Sequence, residues 1–254
     1  MTRLVHANLP GFVLLVGLLA VWEIATFGVN SPNAPDIFRV VAAFSINARM
    51  IAGELALTLA RAGIGLAIAV VTMIIAGLVI GRVTVIRNIV VPIIELLRPI
   101  PPVAIAPVAM LFAGTGSSAK IAVIVYGCAF PVLINTIDAV RSIHPLYTLV
   151  ASSFGMSRRQ TMIAVDLPAA LPRILVGVRT SVALSLLMSV VSEMILSSDG
   201  LGNLIIVAQQ RYEIALEVAI IGVIVAVGIL ISLAWNHIER RLIGWHYGYL
   251  GRNG

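Results

Sequence analysis

The stretch LVASSFGMSRRQTMIAVDLPAALP, residues 149–172, sets two adjacent arginines, three serines, a glutamine, an aspartate and two prolines into an otherwise apolar chain. Leu146 to Phe154 has the composition of one short helix. Gly155 stops it, because glycine accepts the left-handed backbone that ends a helix. Ser157 and Gln160, three residues apart, form the pattern of a capping box that opens a second helix. Met162, Ile163 and Val165 give that helix an apolar stripe, while Arg158, Arg159 and Thr161 stay polar. Pro168 is expected to end it and Pro172 to start the next segment. Two short amphipathic helices at a fixed angle, basic at their joint, make a stiff knob. Such a knob suits two partners, a socket on another protein or an anionic lipid surface.

Working outward, the chain has 254 residues, of which 60% are hydrophobic and only 11% charged. A soluble domain carries about 25% charged residues. The deficit means that most of the surface faces something apolar, so the chain reads as an integral membrane protein. A net charge of +6 raises the question of nucleic acid. Distribution excludes it: sixteen of the seventeen basic residues are arginine, placed singly or in pairs at the ends of apolar runs. The one cysteine, Cys128, lies inside an apolar run and reads as a small hydrophobe. No paired-thiol or clustered histidine set suggests a metal site.

Apolar runs of spanning length occur at about 9–29, 57–81, 89–113, 119–140, 173–196 and 213–235. They are continuous rather than alternating, and backbone groups in lipid must be satisfied within a segment or a closed barrel. The fold class is therefore all-α: six transmembrane helices in a single domain spanning 1–254, with a cytoplasmic segment at 146–172. The first run follows Arg3 and could imitate a secretory leader. Its length of about 20 residues and the lack of a clean cleavage site favour a retained span.

Orientation follows from the arginines. With the N-terminus inside, ten basic residues (Arg3, Arg82, Arg87, Arg141, Arg158, Arg159, Arg173, Arg240, Arg241, Arg252) face the cytoplasm. Arg39, Arg49, Lys120 and Arg211 face out, with Arg61 near that border. This asymmetry puts both termini in the cytoplasm. Outside, Ile37, Val40, Val41 and Phe44 have the spacing of a short helix lying on the membrane surface. SSDGLGN, Ser197–Asn203, reads as a polar external loop.

No nucleotide site is evident. The sole lysine, Lys120, lies in GTGSSAK, which lacks the glycine directly before the lysine and reads as a helix-starting turn. The chain is thus expected not to be an enzyme by itself. Charges inside spans are different, since each costs roughly 2.5–3.5 kcal/mol on insertion scales. Glu95 and Arg98 share a helix face and are expected to pair. After them RPIPPVAIAP packs Pro99, Pro101, Pro102 and Pro107 into a hydrophobic segment. Each proline removes a backbone donor, and the freed carbonyls need partners or a wet cavity. Arg98, Pro99, Pro101 and Pro102 are therefore candidate pathway residues; the alternative is a kink with a snorkelling arginine. Ser185, Ser189, Ser192 and Glu193 form a serine-bearing face near the external loop. Ser189 and Glu193 are candidates for a pathway or gate, against helix packing as the alternative. Gly77 and Gly81 fit a small-xxx-small contact.

The knob also resembles the cytoplasmic motif of ABC-importer permeases: Glu-Ala-Ala, three residues, Gly, nine residues, Ile-x-Leu-Pro. Gly155, Val165 in the isoleucine place, Leu167 and Pro168 keep that register. LLRPIPPVAIAPVAMLFAGTG, FPVLINTIDAVRSI, LPAALPRILVGVR and SEMILSSDGLGNLI resemble the nitrate/sulfonate/taurine-type branch, so the likeness covers about residues 35–240. The resemblance implies a type I importer permease in the cell inner membrane. It further implies a second permease copy, two cytoplasmic ATPase subunits that bind ATP and Mg, and an external solute-binding protein. This chain itself would bind no cofactor. It assigns coupling to Ala151, Ser152, Phe154, Gly155, Met156, Ser157, Arg158, Arg159, Leu167 and Pro168. The implied cargo is a small nitrate-, sulfonate- or taurine-like anion or zwitterion. Leu149 stands where the motif carries glutamate, which shifts any polar contact there towards Arg158 or Arg159. The rival class is a secondary transporter driven by an ion gradient; it calls for ion-coordinating acids at mid-membrane and repeat-related broken helices, neither of which stands out.

Overall fold

The computed structural model describes residues 9–26, 34–196 and 198–243. Arg3, His6, His246 and Arg252, the end of the expected first span at 27–29 and Ser197 of the external loop lie outside the described residues. Among the described residues every regular element is helical. In chain order these are α1 (Leu9–Thr26), α2 (Ile37–Arg82), α3 (Thr84–Leu97), α4 (Pro102–Ala113), α5 (Ser117–Arg141), α6 (Pro145–Ser153), α7 (Arg158–Thr161), α8 (Leu167–Leu196), α9 (Leu201–Gln210) and α10 (Ile214–Leu242). A π turn, Met162–Asp166, joins α7 to α8.

Among the described residues four helical stretches are long and apolar enough to cross a membrane: α2, α5, α7 to α8, and α10. The pair α3 and α4 adds a fifth if counted as one span. The core is built where α2, α5 and α8 meet. There Leu78, Val132, Ala139, Val140, Ala170, Ile174, Val178 and Val182 close on one another. Lipid is as apolar as these side chains, so close packing rather than the hydrophobic effect holds the seam. The expected glycine contact lies here: a Cβ on Gly77 would sit 2.6 Å from Thr136 Cβ, and one on Gly81 2.8 Å from Val140 Cβ. A second cluster joins α9, α10 and the N-terminal half of α2 through Ile51, Leu201, Ile205, Leu216 and Ile220.

Four expectations need correction. The surface helix at Ile37–Phe44 and the second span at 57–81 are one helix, α2, of 46 residues. Asp36 caps it, its side chain accepting from Arg39 N at 2.7 Å. No proline interrupts it, and Gly53 costs only about 1 kcal/mol in a helix. At 1.5 Å per residue α2 is about 69 Å long, against a hydrocarbon core of ~30 Å. The expected span at 89–113 is not straight: α3 and α4 meet at 101°. Pro99 and Pro101 supply no N–H at the break, and a residue before proline avoids helical backbone.

Pro168 does not end a helix. Leu167 N donates to Met162 O across the π turn, five residues back, and the chain runs on into α8. The wider turn carries the path past Pro168, which has no N–H to give Ala164 O. Finally, Leu201–Asn203 of the expected external loop already belong to α9, which Gly200 starts at φ +92.

Candidate functional site

The knob is built largely from local bonds. His144 Nδ1 accepts from Leu146 N at 3.2 Å and opens α6 at Pro145, one residue before the expected start. At the other end Gly155 has φ +67. Gly155 N donates to Ser152 O at 2.9 Å and Met156 N to Ala151 O at 3.1 Å, the paired bonds of a Schellman stop. The capping box is present in both directions: Gln160 N donates to Ser157 Oγ at 3.3 Å, and Ser157 N to Gln160 Oε1 at 2.8 Å. Two helix ends are thereby locked across four residues, which fixes the angle between α6 and α7.

Tertiary contacts then seat the knob. Ala151 and Thr161 are buried, and Leu167 packs on the core between α2, α5 and α8. Arg82, the last residue of α2, reaches into the joint. Its Nε lies 3.4 Å from Asp166 Oδ2, and its Nη2 donates to Thr148 Oγ1 at 2.9 Å. Asp166 is only 1% exposed, and neither carboxylate oxygen has a hydrogen-bond donor. The α2 terminus and the knob are thus tied by one ion pair that the sequence analysis did not single out. Its partners are 84 positions apart, beyond the reach of any local pattern.

The tip faces outward with apolar side chains. Phe154 is 81% exposed and Leu149 62%, with Leu146, Tyr147 and Val150 beside them. Ser152 back-bonds to Leu149 O at 2.7 Å, Met156 is half-buried, and Arg158, Arg159 and Pro168 are exposed.

A second feature lies at the α3–α4 bend. Arg98, Ile100, Pro102, Tyr126, Phe130, Asn135 and Thr180 line a cleft of about 310 Å³. The bend frees Leu97 O, because the residue four places on is Pro101. Ile100 N at 3.1 Å and Tyr126 Oη at 2.7 Å donate to that carbonyl instead. Tyr126 stacks edge-on against Phe130, with ring centroids 5.0 Å apart. The expected Glu95–Arg98 ion pair does not form; both side chains are exposed. Arg98 keeps helical backbone, its N–H donating to Ile94 O at 2.8 Å, and it lines the cleft just before the bend. Pro102 shares the cleft with Arg98, whereas Pro99 and Pro101 do not line it.

Ser189 and Glu193 belong elsewhere, to a charged network at the other end of α8. Glu193 is fully buried, and its Oε1 accepts from Arg61 Nη1 at 2.9 Å. Its Oε2 accepts from Thr58 Oγ1 at 2.8 Å and Gly202 N at 3.2 Å. Arg61 Nη2 and Lys120 Nζ each lie 2.8 Å from Asp199, on separate oxygens. Arg61 Nε donates to Ser117 Oγ at 3.2 Å, and Ser189 Oγ to Thr58 O at 3.0 Å. Glu54 accepts from Gly200 N. This network ties α2, α5, α8 and the start of α9. Glu193 carried a signal in the sequence as a charge inside a span; Arg61, Lys120 and Asp199 were not joined to it, because contact alone makes them partners.

Helices of spanning length, a stiff knob between α5 and α8, and a broken helix at mid-chain make up the fold of type I ABC importer permeases. The fold agrees with the crystal structure of a bacterial ABC transporter importing the acidic polysaccharide alginate, at a TM-score of 0.67 and 21% identity, over 94% of this chain and 95% of that one. The chain belongs to the family described as binding-protein-dependent transport system inner membrane component, whose model matches residues 69–244. It is 34% identical over 193 residues to the taurine transport system permease protein TauC of Escherichia coli (strain K12), covering 76% of this chain and 70% of TauC. It is also 34% identical over 200 residues to the bicarbonate transport system permease protein CmpB of Synechococcus elongatus, covering 77% and 68%.

Proposed function

We propose that this chain moves a small oxyanion or zwitterion, of the sulfonate, taurine, nitrate or bicarbonate kind, across the cell inner membrane. An external solute-binding protein delivers the cargo, and two cytoplasmic ATPase subunits, which bind ATP and Mg, drive the exchange of inward- and outward-open states. A second copy of the chain completes the pathway. The full chain makes six spans with both termini in the cytoplasm. ATP hydrolysis belongs to the partner subunits.

The exposed apolar tip of the knob is the observation that carries this reading. Phe154 and Leu149 are exposed on a segment locked at both helix ends, and the arginine asymmetry favours the cytoplasmic side for it. A water-facing phenylalanine at 81% exposure on a rigid mount fits a hydrophobic socket. Rigidity matters, because a flexible tip would absorb the motion of the ATPases rather than transmit it. Arg98 at the proline bend supplies a positive group for an anionic cargo, and the relatives named for taurine and bicarbonate transport point to that chemistry.

The test is reconstitution. The chain is co-expressed with the ATPase and binding protein encoded beside it and placed in proteoliposomes loaded with ATP. Uptake of labelled taurine, an alkanesulfonate, nitrate and bicarbonate is then compared with and without ATP and binding protein. Uptake that requires both supports the proposal. Uptake driven by a proton or sodium gradient in ATP-free vesicles overturns it.

A further inference from the structure

A crevice of about 750 Å³ opens where α2 ends and the knob begins. Its walls are of two kinds. Val79, Val83, Met156 and Met162 form an apolar side, with Val79 and Val83 partly exposed at the end of the α2 span. Arg82, Arg158 and Arg159 form the other, joined by the hydroxyls of Thr148, Ser152, Thr84 and Thr161. Arg158 and Arg159 have no ion-pair partner among the described residues, and Arg82 has only Asp166. The crevice therefore holds an excess of positive charge that the fold leaves uncompensated.

We infer that this crevice is a binding site for a phosphate group, held by Arg82, Arg158 and Arg159 at the cytoplasmic face of the membrane. Guanidinium groups match phosphate oxygens bidentately, and hydroxyls supply further donors. The apolar wall lies where the α2 span gives way to the cytoplasm, so the site straddles the boundary between acyl chains and headgroups. That position fits the phosphodiester of an anionic inner-leaflet lipid; a soluble phosphate would use the arginines without the valines. Arg82 also holds Asp166 and Thr148, so an occupied site stiffens the joint between α2 and the knob. Ser152, Met156, Arg158 and Arg159 also belong to the segment proposed to dock the ATPase, so the test uses the chain without its ATPase.

Native mass spectrometry of the detergent-purified full chain tests this, with phosphatidylglycerol and phosphatidylcholine as probes. Wild type is expected to retain phosphatidylglycerol selectively, and Arg158→Gln/Arg159→Gln to weaken that retention by about thirtyfold, at roughly 1 kcal/mol for each of the two basic groups near the lipid surface. Both arginines are exposed, so this variant keeps its packing. Arg82→Gln/Asp166→Asn, which removes both ends of the buried pair together, is expected to weaken it as well. A second arm measures thermal stabilisation by millimolar inorganic phosphate. Stabilisation of wild type but not of the variants, without lipid selectivity, keeps the site and assigns it a soluble phosphate. Equal lipid retention and equal phosphate response in wild type and both variants overturns the inference and leaves the arginines to carboxylates on a partner protein.

Discussion

Replacing Arg61 with methionine is expected to destabilise the permease by about 3–5 kcal/mol, the range for removing one partner of a buried ion pair. The side chain of Arg61 is 5% exposed and that of Glu193 0%. Without Arg61, Glu193 keeps only the Thr58 hydroxyl and the Gly202 N–H. Asp199 loses one of its cations but keeps Lys120 at 2.8 Å, and it is 42% exposed, so water shares the loss. The penalty therefore sits mainly on Glu193. At about 2–4 °C per kcal/mol for a chain of this size, thermal unfolding in detergent should fall by about 6–20 °C. The double variant Arg61→Met/Glu193→Gln removes the orphaned charge and keeps the amide's hydrogen bonds. It should recover about 1–3 kcal/mol relative to the sum of the single variants. Fluorescence-detected size exclusion across a temperature series reads both quantities. Additive single effects, or an Arg61→Met midpoint within 2 °C of wild type by the same scale, would refute a buried charge network in this region.

Two further outcomes bear on the knob and the cleft. Gly155→Leu should weaken pull-down of the co-expressed ATPase, because a side chain at φ +67 costs roughly 1–2 kcal/mol and loosens the angle between α6 and α7; unchanged pull-down would separate the knob from docking. Arg98→Ala should lower uptake in proteoliposomes at least tenfold, a loss of about 1.4 kcal/mol, while ATPase co-purification stays intact; normal uptake would reduce Arg98 to a snorkelling charge.

The knob was largely legible before the structure was known. Gly155, the Ser157–Gln160 box and the stop of the first short helix all depend on groups within five residues, where sequence order and spatial order coincide. The proline run similarly marked a break near Arg98, although not a turn of 101°. Misreadings came where local signals competed with longer continuity. The amphipathic pattern at Ile37–Phe44 suggested a separate surface helix, yet nothing between it and Leu57 forbids an unbroken ladder, and α2 runs through. Pro168 carried a stop signal that a π turn evades by displacing one hydrogen bond.

Hydrophobicity and capping residues act over one helix or less, and they were enough to specify a membrane bundle with a rigid knob. Which charges meet was decided by packing. Arg61 and Glu193 are 132 positions apart, and Arg82 and Asp166 are 84 apart. Only the α2–α5–α8 seam, drawn tight by Gly77 and Gly81, brings their helices close enough for a charge in an apolar setting to find its counterpart. A buried charge needs such a partner because the protein interior and the lipid around it have no water to replace one.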